Sequence, residues 1–299
     1  MGVRIVSLLP SATEIVYALG LGDDLVGVTH ECDFPAAAKT KQVVSVSALS
    51  PGSTPAEIDR RVSASLAGGE PIYRLDDVAI RDVRPDLVLT QDLCAVCAVP
   101  SGHVNAALEV LGCSAEVVSM DPSSLGEVVD CIEAVGRATG TDERARSLAA
   151  DLRHRLDEVR GAVAGLSRPR TFALEWSDPP FNGGHWVPEM IEVAGGEPVL
   201  GNPGVDSVRV SWEQIEAEAA EVVVFMPCGY DADQAAEEAT RTLLPRPELA
   251  SARSFFAVDA SAYFSRPGPR LVDGVEALAS ALHPGTVEPR VHDAVRLLR

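Results

Sequence analysis

Thiols, imidazoles and aromatic rings gather at a few places in this chain, each just after an apolar run. Cys94-Ala95-Val96-Cys97 is a CxxC, Cys32 follows His30 by two positions, and Cys228 ends a further apolar run. Four thiolates from Cys32, Cys94, Cys97 and Cys228 on one site would suit zinc or an iron–sulfur cluster. Two of them, with His30 or His185, could reach the metal of a bound chelate. A redox CxxC is a further option, but it should open a helix, and Pro100 follows Cys94 too soon for that. The plain alternative is that these cysteines are small buried hydrophobes, which suits Cys113 and Cys131.

The rings make a second set: Trp176, Phe181, Trp186, Tyr230, Tyr263 and Phe264. Aromatic residues are only 5% of the chain, so this gathering points to a flat, apolar guest. The competing reading is that the rings fill a gap inside the protein. Ser11, Ala12, Asp33, Asp92, Arg266 and the Gly183-Gly184 backbone are the polar candidates for hydrogen bonds to the guest, beside His30 and His185. No acid, base and nucleophile stand together by spacing, so binding is expected and not catalysis. GxGxxG, GxxxxGK[ST] and GxSxG are all absent, which removes the usual nucleotide-binding and α/β-hydrolase signatures.

These candidates need a scaffold that presents strand ends. Short Val, Ile and Leu runs at Val3–Leu9, Leu25–Thr29, Asp86–Thr90 and Ala115–Ser119 read as strands. Helical patterns at Ala12–Leu19, Leu75–Val83, Val104–Leu111 and Leu125–Ala138 alternate with them. That order predicts a parallel sheet covered by helices. From Thr141 to about Gly165 one polar helix carries Leu148, Leu152, Leu156 and Val159 on a single stripe. At ~1.5 Å per residue it would run roughly 35 Å.

After Pro169 the alternation restarts, with strands predicted at Arg170–Trp176, Glu221–Met226 and Phe255–Val258. Helices are predicted at Pro188–Ala194, Trp212–Ala219, Asp233–Leu243 and Leu271–Leu282. The expected organisation is therefore α/β, with two Rossmann-like lobes with parallel central sheets joined by one long backbone helix. Its parts are an N-terminal lobe at 1–140, a linker helix at 141–167, a C-terminal lobe at 168–283 and a polar tail at 284–299 with a weak helical end. Ligands of such sheets bind beyond the carboxyl ends of the strands, which is where the residues named above fall.

Charge narrows the partners. The formal net charge is -19 and the pI about 4.6, so phosphate backbones and anionic membrane surfaces are repelled and nucleic acid is not expected. No run of about 18 apolar residues is present. No secretory signal precedes Val3, so the chain is read as cytoplasmic as it stands, or extracytoplasmic if a leader was removed. A monomer is expected.

The stretch Arg4-Ile5-Val6-Ser7-Leu8-Leu9-Pro10-Ser11-Ala12-Thr13-Glu14-Ile15 carries a family resemblance. So do Glu175-Trp176-Ser177-Asp178-Pro179, Gly184-His185-Trp186-Val187-Pro188-Glu189, Pro227-Cys228-Gly229-Tyr230 and Tyr263-Phe264-Ser265-Arg266-Pro267-Gly268-Pro269-Arg270. Together, over residues 3–283, they resemble the vitamin B12-binding branch of the helical-backbone (class III) periplasmic binding proteins. That class serves ABC importers of cobalamin, haem and iron-siderophores. The resemblance implies a corrinoid or related metal chelate held in a cleft between the lobes, with no cofactor required. It also implies an ABC permease as partner, with Glu14 and Glu189 docking each lobe onto permease arginines. Local alternatives are that Ser11-x-x-Glu14 is a capping box and that Glu189 sits in a first helical turn. The runner-up function is a cytoplasmic metal- or iron–sulfur-binding protein built on Cys32, Cys94, Cys97 and Cys228.

Overall fold

A computed structural model describes residues 2–47, 54–68, 73–92 and 101–299. Two compact units emerge: residues 1–121 with 130–149, and residues 122–129 with 150–299. Cys94 and Cys97 lie outside the described residues. Among the described residues no helix is long and apolar enough to cross a membrane.

In the first unit the order is β1 (Ile5–Ser7), α1 (Pro10–Ala18), β2 (Leu25–Val28), a 3-10 turn (Ala36–Thr40), β3 (Gln42–Val43), β4 (Ser45–Ser47), α2 (Pro55–Gly68), β5 (Tyr73–Leu75), α3 (Asp77–Val83), β6 (Leu87–Thr90), α4 (Ser101–Leu111) and β7 (Glu116–Ser119). The sheet runs β3-β2-β1-β6-β7, every pair parallel, and β4 and β5 form a separate antiparallel pair. Strands β1 and β6 are apolar at nearly every position because parallel strands are covered on both faces. Val6, Leu8, Val88, Ile80 and Val104 pack there into one core.

α5 (Leu125–Thr139) and α6 (Asp142–Ala162) follow, and the division between the units falls within both. Alanines 145 and 149 with Leu152, Leu156 and Val159 form the buried stripe of α6, and buried Val163 follows directly after the helix. The spacing is helical as predicted, but Leu148 is only half-buried. The small Ala145 takes the packed position because α5 comes close: a Cβ on Gly136 would lie 2.3 Å from the Ala145 Cβ.

The second unit continues with β8 (Arg170–Ser177), β9 (Pro180–Asn182), α7 (Val187–Val193), β10 (Glu197–Pro198), α8 (Trp212–Glu218), β11 (Val222–Phe225), α9 (Ala232–Thr242), β12 (Ser254–Val258), α10 (Ala260–Tyr263), α11 (Leu271–Leu282) and β13 (Val295–Leu297). Its sheet runs β10-β8-β11-β12-β13. The first four strands are parallel, while β13 joins β12 antiparallel and β9 folds back on β8. Phe172, Phe225 and Phe255 fill the core with no solvent exposure.

Arg155 on α6 reaches into this unit, its Nε 2.8 Å from Glu276 Oε1 and its guanidinium 2.5 Å from Asp273 Oδ1. Both acids belong to α11, so one buried cation ties that helix to α6.

Two local expectations are corrected. The segment after His283 is not a helical tail, because Val295–Leu297 is an edge strand with Ala294 buried beneath it. Ser11 does not cap α1 either: the helix starts at Pro10, Leu9 is the N-cap, and no side chain caps it. Proline favours the first helical position, which puts Ser11 inside the first turn.

Candidate functional site

The carboxyl end of the first sheet is built on a buried hydroxyl network. Ser7 Oγ donates to Leu9 O at 2.8 Å and Thr13 Oγ1 donates to Ser7 Oγ at 2.9 Å. Thr13 has then used its only proton, so the 2.9 Å contact with Cys32 Sγ is a thiol donating to Thr13. Cys32 is thereby buried against the hydroxyl network. Ser11 and Ala12 stand in the first turn of α1, both buried.

Beyond β2, His30 is exposed and its ring lies 5.6 Å from Tyr73, tilted by 40°. Tyr73 donates to Glu31 Oε1 at 3.0 Å. Asp33 is exposed. Asp92 follows β6, but its carboxylate is already engaged. Ser101 Oγ donates to it at 2.6 Å, the Ser101 N–H at 2.7 Å and Ser119 Oγ at 3.2 Å. The Ser101 hydroxyl, foremost among these, holds the Asp92 carboxyl below the usual range. Asp92 therefore anchors the start of α4 while remaining exposed.

In the second unit β8 ends in a bulge. Leu174 pairs with Asn182 and Trp176 with Phe181, which leaves Glu175 as the extra residue. Its carboxyl turns toward residues 203–208, where Ser207 Oγ and the Gly184 N–H donate to it. Burial outweighs those bonds and pushes its pKa up to about 7. Gly184 is required here, because a Cβ would lie 2.2 Å from Ser207 N and 2.6 Å from the Asp206 carbonyl carbon.

The next residue, His185, adopts φ 53° and places Nε2 3.3 Å from Asp206 Oδ1. Burial lowers its pKa, and Asp206 opposes that. Asn182 completes the strap: its N–H donates to Val208 O at 3.1 Å and its Oδ1 accepts from the Val208 N–H at 2.6 Å.

Rings divide into two classes. Trp176 and Tyr230 meet edge to face, centroids 6.3 Å apart. Phe181 carries the Arg209 guanidinium 5.6 Å from its centroid, and Tyr263 carries Arg270 at 5.5 Å. All four rings are half-buried, so each keeps surface to offer. Trp186 and Phe264 do not: they are 6% and 1% exposed, and Trp186 Nε1 donates to Phe264 O at 2.8 Å. These two fasten α7 to the segment after α10 and are corrected from guest-binding to structural. Arg266 is half-buried nearby and Cys228 is exposed.

Among the described residues no set of three or more His, Cys, Asp or Glu side chains is placed to hold a metal ion. Glu14 is 4% exposed, which leaves no face for a permease arginine and corrects its docking role. Glu189 is half-buried. One of its oxygens accepts from the Leu125 N–H at 2.8 Å and the other lies 3.8 Å from Arg160. Sequence reasoning missed Glu175, Ser207, Asp206 and Tyr73 as site residues. The apolar strand ahead of Glu175 was the available signal, since an acid there ends up desolvated.

A periplasmic binding protein family model matches residues 5–251. The chain is 27% identical over 287 residues to the vitamin B12-binding protein of Vibrio cholerae serotype O1, covering 93% of this chain and 88% of that protein. It is 27% identical over 293 residues to YvrC of Bacillus subtilis strain 168, an uncharacterized ABC transporter substrate-binding lipoprotein, covering 95% and 81%. In structure it is similar to a periplasmic haem-binding protein of Pseudomonas aeruginosa, with a TM-score of 0.71, 21% identity and coverage of 100% and 99%. That last likeness shows the fold. With 247 consecutive residues matched and two α/β lobes of the expected kind, the chain belongs to the periplasmic binding protein family, a solute-binding protein and not an enzyme.

Proposed function

We propose that the protein is the substrate-binding component of an ABC importer and that its guest is a corrinoid of the cobalamin type. The observation that carries this reading is the set of half-buried rings at the carboxyl end of the second sheet, Trp176, Phe181, Tyr230 and Tyr263. Rings that retain free faces suit a broad apolar macrocycle. The likeness to the Vibrio cholerae vitamin B12-binding protein favours a corrinoid, and the likeness to YvrC favours service to an ABC importer. Of the two glutamates expected at a permease, Glu189 is the one in contact with solvent, and the docking role is proposed for it alone.

Titration with cobalamin, cobinamide and haem, followed by the guest's visible spectrum, tests the reading. Saturable shifts with the corrinoids, tighter than with haem, are expected. Binding of haem alone would overturn the corrinoid assignment, and no shift with any of the three at tens of micromolar protein would overturn the class.

A further inference from the structure

Between β10 and α8 the chain lies across the β8–β9 turn as a strap held mainly by main-chain bonds. The Val210 N–H donates to Pro180 O at 3.0 Å, the Asn182 N–H to Val208 O at 3.1 Å, the His185 N–H to Val205 O at 2.7 Å and the Gly204 N–H to His185 O at 2.9 Å. Phe181 and Arg209 form an antiparallel bridge, and the Arg209 guanidinium lies over the Phe181 ring. The outer face of the strap packs on nothing: residues 202–206, 208 and 209 are exposed, Val205 and Val208 among them. A segment tied by exposed backbone bonds and little apolar contact opens locally at low cost.

Beneath it lies Glu175. As the extra residue of the β8 bulge, its side chain is re-aimed out of the ladder and under the strap. There it accepts from Ser207 Oγ and the Gly184 N–H. The charged groups on the segments packed against it are His185 and Asp206, paired with each other at 3.3 Å, and Arg209, placed over Phe181. Burial first, and then the bonds from Ser207 and Gly184, set the proton affinity of Glu175.

We propose that residues 201–210 are a proton-operated latch, shut over the neutral Glu175 carboxyl in acid and opened more readily as the pH rises toward neutrality. The ionised carboxylate gains more from water than from its two donors, and water reaches it when the strap lifts. Open, the carboxyl titrates at its ordinary 4.5; shut, it titrates at about 7. The open-to-shut ratio therefore grows about tenfold for each pH unit between those values and levels off above them. Below the lower value both forms are neutral and the latch is at full strength. The His185–Asp206 pair acts in the same direction, since the imidazolium draws Asp206 in acid, but burial holds the His185 pKa below its ordinary value. Lifting the strap uncovers the face of Phe181 that Arg209 occupies, beside Trp176, its partner across the bulge. The ring surface of the second unit thus depends on pH.

Amide hydrogen exchange on the full chain tests this, read at Asn182, His185, Gly204 and Val210 and corrected for intrinsic exchange. Between about pH 5 and 7.5, protection at these amides should fall about 50-fold in wild type and change less than about threefold in Glu175→Gln. Asp206→Asn, at an exposed residue, removes the pair with His185 and should keep most of the wild-type fall. Added urea should hardly alter exchange at the four strap amides, whereas Val223–Phe225 of β11 should follow the slope of global unfolding. A wild-type fall under about threefold, an equal fall in Glu175→Gln, or its loss in Asp206→Asn would each overturn the latch. So would strap amides that share the urea slope of β11, because the strap would then open only when the protein unfolds.

Discussion

Replacing Glu175 by glutamine should raise the stability of the protein at neutral and alkaline pH and leave it nearly unchanged in mild acid. The carboxyl sits on the β8 bulge under Ser207 and Gly184, and its pKa moves from 4.5 to about 7 because desolvation outweighs the two hydrogen bonds. Between those two values the folded chain holds a proton that the unfolded chain has released. Stability therefore falls as pH rises through that window, by about 1.4 kcal/mol for each pH unit crossed, or about 3 kcal/mol in full above neutrality. Below the unfolded value both states are protonated and the penalty vanishes. Glutamine copies the neutral acid in shape and still accepts from Ser207 or Gly184, so it should escape the loss.

Urea unfolding of both proteins at about pH 4.5, 6 and 8 reads this directly, since titrations elsewhere, including the His185–Asp206 pair, cancel in the difference. The variant should gain about 2–3 kcal/mol over wild type between the lowest and highest pH. A difference that stays flat within about 0.5 kcal/mol would show that Glu175 is solvated in the folded protein and would sink the reasoning. A gain with the opposite slope would mean that the ionised form is the one the strap prefers.

Other substitutions probe the remaining parts. Arg155→Met leaves Asp273 and Glu276 without their shared cation and should cost about 3–5 kcal/mol, read as a lower urea midpoint at unchanged slope. A loss below about 1 kcal/mol would contradict the burial of that triad. Gly184→Ala drives a methyl into the Ser207 and Asp206 backbone and should cost about 1–3 kcal/mol. Faster amide exchange across residues 201–211 should accompany it, and unchanged protection would refute the close approach. Trp176→Ala should weaken corrinoid binding about tenfold or more with little change in melting temperature. Trp176→Phe should recover most of the affinity, whereas equal loss in both variants would point to the indole N–H and away from ring area.

Most of the scaffold was legible because parallel strands are covered on both faces and so read as unbroken apolar runs. Val222–Phe225 lies inside its predicted strand, and α11 spans the predicted Leu271–Leu282. What escaped were elements defined by their partners. β13 is only Val295–Leu297, and nothing local distinguishes Val-Arg-Leu from a loop; the ladder to Phe256–Val258 makes it a strand. β9 and β10 are as short and depend on β8 in the same way. Trp176 lies near the end of β8 and Tyr230 follows β11, whereas Trp186 is the N-cap of α7 and Tyr263 and Phe264 close α10, and composition could not say which ring kept a free face. Trp186 loses its face because its indole N–H is fixed to Phe264 O, 78 residues away.

The helix starts show how a local signal misleads and how it could have been weighed. Ser11-x-x-Glu14 and Thr54-x-x-Glu57 carry the same capping pattern. At α2 the pattern is real: Glu57 Oε2 accepts from the Thr54 N–H at 2.8 Å, and the Glu57 N–H reaches Thr54 Oγ1 at 3.4 Å. At α1 it is not, since Ser11 Oγ has no partner. The difference is the proline. Pro55 follows Thr54, so the first helical position comes after the cap; Pro10 precedes Ser11 and takes that position itself. Serine is thereby moved from a capping place, where its oxygen would serve the helix, to one where the helix cannot use it. Sequence order alone separates the two cases.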